Sequence, residues 1–205
     1  MPLGTPYQTT DKTITYLNKQ YAKLFRNVMS FDELNVIEVS HEIYDEALKV
    51  TELETARLVK TVYDSHREEG SFSAEEAYSF ALALMLAYNP VTKYVYRNEI
   101  DRKRARFAEG VLSSDTPQQE IALAKRLLIA MNKQFADDAT FEALVKAYTD
   151  DGVEQVRWIT AVDDRRCPTC KARHNKIYPI DEIPSKPHLH CRCYIQKVDL
   201  EVAEA

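Results

Sequence analysis

The chain has 205 residues, of which 45% are hydrophobic and 29% charged, an ordinary globular composition and not that of a disordered polymer. A net charge of −5 argues against a general nucleic-acid surface, and the longest apolar run, residues 80 to 88, falls far short of a membrane span. Four glycines set against long Ala/Leu/Glu/Lys/Arg-rich tracts predict a mostly helical protein with no membrane partner.

In chain order, residues 1 to 9 read as a flexible N-terminal arm without the basic and apolar regions of a signal peptide. Synthesis in a reducing cytoplasm is therefore expected, where clustered cysteines bind metal more often than they form disulfides. Ile14, Leu17, Tyr21, Leu24 and Val28 keep three-four spacing, which predicts a helix from about residue 10 to residue 29. Ser30 and Glu33 form a capping box that opens a second helix, ending near Gly70, with a possible break at Thr51. Ser73 and Glu76 form another box before an apolar helix that Asn89-Pro90 terminates. A helix over residues 91 to 109 follows, stopped by Gly110, with Arg97, Arg102, Lys103, Arg104 and Arg106 on one side. Neighbouring Glu99 and Asp101 favour a solvated helix face over a phosphate-binding one. After a linker at residues 113 to 117, two more helices are expected over 118 to 135 and 138 to 149.

Beyond Gly152 the texture changes. Residues 156 to 162 alternate and are rich in β-branched and aromatic types, predicting a strand. Residues 171 to 187 read as loop with an extended piece at Ile177-Tyr178, and residues 193 to 198 as a return strand. The expected organisation is a multi-helix body over 10 to 150, then a small β-containing zinc-knuckle module over 151 to 200 and a tail over 201 to 205.

All four cysteines lie in that module, as Cys-x2-Cys-x20-Cys-x-Cys, with His188 three residues before Cys191. Cys167 and Cys170 supply two thiolates on one turn, half of a tetrahedral zinc cage. His188, Cys191 and Cys193 are candidates for the other half, so five donors compete for four places. Thiolates dominate, and no carboxylate stands beside them as a general base, which makes a closed structural Zn2+ site the expected chemistry. A redox pair at Cys167 and Cys170 lacks a βαβ thioredoxin context and leaves the second pair unexplained. No His-x-Glu precedes the Cys-Pro-Thr-Cys run, so the likeness to nucleobase deaminases is superficial. His174 and His190 read as bystanders. Trp158 is the natural apolar anchor beneath the site, and Asp163 and Arg165 are candidates for supporting hydrogen bonds around it. No phosphate-binding glycine loop, nucleophile elbow or paired catalytic carboxylates occur.

Trp158, Thr160, Asp163, Arg165, Cys167 and Cys170, then Tyr178, then Pro187, His188, Cys191, Arg192 and Cys193 together resemble the C-terminal signature of the phage Mu F-like minor head protein family. The strong part of the resemblance covers about forty residues. Many members carry an Arg-Thr-Glu-like segment in the preceding helix, where this chain departs with Asp137-Asp138-Ala139-Thr140. The resemblance implies a phage or prophage virion protein of the head, associated with the portal or major capsid protein, acting in head assembly and in DNA packaging or delivery. Some longer relatives carry fused enzymatic domains. This chain shows none, and no enzymatic activity or small-molecule substrate is expected. A many-copy capsid decoration or cement protein, and a zinc-dependent DNA-binding protein, are the alternatives.

Overall fold

The structure is a computed structural model that describes residues 6–26, 36–161 and 166–198. Among them six α-helices dominate, with two small antiparallel sheets. The mostly helical class expected from composition is the class observed.

Helix α1 spans Pro6–Leu24, so residues 6 to 9, expected in a flexible arm, are helical. The helix ends earlier than residue 29, and its buried stripe is Ile14, Leu17 and Tyr21. Helix α2, Val36–His66, is continuous. No break occurs at Thr51, because its hydroxyl donates to the Ala47 carbonyl one turn back at 2.8 Å and is satisfied within the helix. The Ser30–Glu33 capping box lies outside the described residues. Helix α3, Ala74–Leu86, has the expected box: the Glu76 amide donates to the Ser73 hydroxyl, and the Ser73 amide to the Glu76 carboxylate.

The next segment differs from expectation. Residues 91 to 95 are not helical. Strands β1 (Tyr88–Asn89) and β2 (Tyr94–Val95) pair as a hairpin. The Asn89 side chain accepts the Val91 and Thr92 amides, and Lys93 takes a positive φ of 62°. An Asn side chain that mimics a backbone turn competes with the helix at this point. Helix α4 therefore starts at Tyr96 and runs through Gly110 to Ser113. Gly110 is a close-approach residue and not a stop, since a Cβ there would meet the Glu120 carboxylate at 3.0 Å.

Helix α5, Pro117–Asp150, is one element where two helices were expected. Asp137 and Asp138 do not interrupt it, and groups on α5 and beyond it bond to this stretch. Asn89 and Gln134 donate to the Asp138 carboxylate, and Lys186 donates to the Asp137 carbonyl. Proline at the first helical position opens the helix and a Schellman turn closes it. In that turn Gly152 (φ 70°) donates to the Thr149 carbonyl and Val153 to the Tyr148 carbonyl.

Helix α5 runs through two buried clusters. Its first half, Ile121 to Phe135, packs with Tyr21, Tyr44 and Phe107 of α1, α2 and α4. Its second half packs with Val59 and Val62 of α2 and with the C-terminal strands. Those strands are β3 (Gln155–Ile159), β4 (Ile177–Pro179) and β5 (Tyr194–Lys197), antiparallel in the order β4-β3-β5. Their alternation puts Val156, Trp158 and Ile195 on the face turned to α5, all fully buried. The small sheet thus borrows its core from the helices. Burying Trp158 alone is worth about 3 kcal/mol.

Candidate metal centre

Between β3 and β4 lies helix α6, Pro168–Arg173, which the loop expected over 171 to 187 did not include. Cys167 caps it, and its sulfur accepts the Cys170 amide at 3.2 Å. That bond is the main cause lowering the Cys167 thiol pKa, because a donor aimed at sulfur favours the thiolate. Cys170, one turn on, is buried, and burial pushes its thiol up to about 12.

His188 enters from the loop before β5. Its Nε2 stands 3.1 Å from the Cys170 sulfur, while Nδ1 lies 2.8 Å from the Leu189 carbonyl. A carbonyl can only accept, so Nδ1 carries the proton and the Nε2 lone pair faces the thiols. This is the orientation that a ligating histidine needs. Cys191 and Cys193, both buried, complete the cluster, with the Cys191 sulfur 3.7 Å from that of Cys170. Cys193 is the more acidic of the pair, its thiolate favoured by Cys191, Thr160 and Trp158, and the same contact with burial pushes Cys191 up.

The five donors gather as two triads that share Cys170: Cys167, Cys170 and His188 on one side, and Cys170, Cys191 and Cys193 on the other. Within each triad the donor atoms lie within 4.8 Å of one another. Tetrahedral zinc with thiolate bonds near 2.3 Å has ligand edges of about 3.8 Å. The 3.7 Å sulfur separation and the preset Nε2 lone pair fit such an ion. The cluster is therefore able to bind a metal, with Cys170 at its centre.

The histidines set aside as bystanders are placed outside both triads. His174 Nδ1 accepts the Thr160 amide at 3.3 Å, which occupies that nitrogen. His190 takes a positive φ of 54°, and its amide donates to the Gln134 side chain at 2.5 Å. Trp158 sits beneath the cluster, its ring centroid 5.7 Å from Phe141 and 6.3 Å from Tyr178, with the Arg173 guanidinium 5.2 Å from its own centroid. Asp163 and Arg165 lie outside the described residues.

Sequence reasoning missed how the donor loop is fastened. Lys186 is buried; its ammonium donates to the Asp137 carbonyl at 2.6 Å and lies 5.4 Å from the Phe141 centroid. With the Gln134–His190 bond, this clamps residues 186 to 190, and so His188, against the middle of α5. A lone lysine between Pro184 and Pro187 was the only signal available.

The family model described as Phage Mu protein F like protein matches residues 92–196, just over half of the chain. The chain belongs to the phage Mu F-like family. In this phage Mu F-like chain the matched segment takes in α4, α5, the three-stranded sheet up to Gln196, all five candidate donors and the Lys186 clamp. No curated protein and no solved structure matches the chain. Membership points to a phage head-related protein of virion type. Among the described residues no helix is long and apolar enough to cross a membrane.

Proposed function

We propose that this chain is a non-enzymatic minor component of the phage head, docked on the portal or the major capsid protein, with a role in head assembly and DNA packaging or delivery. A structural zinc holds its C-terminal module together. The ligands are Cys167, Cys170 and Cys191, with His188 or Cys193 completing the cage. One observation carries the reading: the segment that defines family membership contains the whole donor cluster and the helix to which the cluster is clamped. Residues 10 to 150 act as the helical body and 151 to 200 as the stapled module. When bound, zinc supplies a cross-link between α6 and the loop before β5. The chain's own residues do the rest: the Leu189 carbonyl orients His188, the Cys170 amide stabilises the Cys167 thiolate, and Trp158 excludes water from below.

A DNA-binding reading is weakened by the basic side of α4. Arg97 pairs with Glu52 and Asp101, Arg102 and Lys103 with Glu99, and Arg104 with Asp45 and Asp101. Cations already paired release fewer counterions from phosphate. The many-copy decoration protein differs from the minor component in stoichiometry alone. Quantifying the chain in purified mature and immature heads tests the reading. A few copies per particle support it, many copies shift it to decoration, and absence from both kinds of head overturns it.

A further inference from the structure

Between the β1–β2 hairpin and α5 lies a half-open cleft of about 290 Å3. Its walls are largely aromatic, with Tyr88 and Tyr94 on the hairpin side and Phe135 and Phe141 on α5. Tyr88 is 61% exposed at the lip. Three charged residues line the cleft. Lys186 is turned inward, its ammonium engaged by the Asp137 carbonyl and lying against the Phe141 ring. Asp138 and Glu142 stand four residues apart on the same face of α5, an arrangement in which like charges repel. Asn89 and Gln134 donate to Asp138, and the buried Lys186 ammonium pairs with it at 4.0 Å. The cleft therefore joins an aromatic wall to two carboxylates set against one ammonium, which leaves it net negative.

An arginine side chain answers both features. Its guanidinium stacks on aromatic faces and pairs with carboxylates in a fixed fork, and its stem packs on apolar wall. The acidic lining disfavours nucleic acid. Past Glu142 and Phe141 the surface continues into a second concavity lined by Val145, Ile180 and Ile183. An occupant that fills both is a length of chain and not a free small molecule. We propose that this cleft receives an arginine side chain on an extended segment of a partner protein, with the apolar residue that follows lying along Val145, Ile180 and Ile183. The proposal goes beyond the head role above, and its outcome is independent of copy number.

The test uses the full chain, isotopically labelled and supplied with zinc, titrated with the acetylated pentapeptide Leu-Ala-Arg-Ala-Leu and with its counterpart carrying Gln for Arg. The amide signals of residues 88 to 95 and 138 to 142 shift on adding the Arg peptide, which binds about tenfold tighter than the Gln peptide. Glu142→Gln, at an exposed position, removes most of that preference, and Tyr88→Ala weakens the Arg peptide. Equal affinities, shifts confined to other residues, or no shifts overturn the proposal. So does movement of the same signals on concentrating the chain alone, which would assign the cleft to a second copy, or on adding an oligonucleotide.

Discussion

His188 Nε2 lies 3.1 Å from the Cys170 sulfur, with the other ring nitrogen held by the Leu189 carbonyl. One backbone acceptor thus decides which nitrogen is free to ligate, and Cys170 is the sulfur shared by both donor triads. Cys170→Ser should therefore lose more metal affinity than any other single donor change. Cys191→Ser should lose metal as well, and comparing Cys193→Ser with His188→Ala shows which of those two completes the cage. Competition with a chromophoric chelator ranks the variants. Equal losses at Cys167, Cys170, Cys191 and Cys193 would contradict the shared position of Cys170.

Lys186→Met keeps the apolar stem but removes the donor to the Asp137 carbonyl and the cation over Phe141. The loss of a buried charge-assisted bond should cost about 2–4 kcal/mol, read from denaturant unfolding. Zinc affinity should fall as well, since residues 186 to 190 carry His188. A variant destabilised but unchanged in zinc affinity would show that the clamp does not position the ligand.

Asp137 is buried, and burial raises its carboxyl pKa to about 6. An acid whose pKa is higher folded than unfolded holds more protons in the folded state over about pH 4–6, so stability falls as pH rises through that window. Asp137→Asn should flatten this slope and stabilise the chain near neutral pH by about 1–3 kcal/mol. Melting curves between pH 4 and 7 on both proteins check it.

These residues also show what the sequence could and could not say. Capping chemistry marked the start of α3 correctly because Ser73 and Glu76 meet within one turn. The clustering of the five candidate donors was legible from spacing, since a metal needs soft donors in short pairs. The continuity of α5 was not, because Asp138 is satisfied by Asn89 and the Asp137 carbonyl by Lys186, both 49 residues away in sequence. Nor was the hairpin at residues 88 to 95, where the Asn89 side chain diverts amides that periodicity assigned to a helix.

The two glycines near the ends of α4 and α5 should respond oppositely to alanine. Gly110 is helical, and the atoms nearest to a Cβ there are at the end of the Glu120 side chain, which can rotate away. Gly110→Ala should be neutral or stabilise by up to about 1 kcal/mol through helix propensity. Gly152 sits at a φ of 70° in the Schellman turn, and Gly152→Ala should destabilise by about 1 kcal/mol. Thermal denaturation of the pair distinguishes a close-approach glycine from a left-handed one.

The central claim, a structural metal stapling the C-terminal module, is tested most directly by elemental analysis of the purified chain beside its Cys170→Ser variant. The account predicts about one zinc per wild-type chain, none in the variant, and loss of order around β3 and β5 when a chelator removes the ion. A wild-type chain without zinc whose sheet is unchanged by chelator would contradict it.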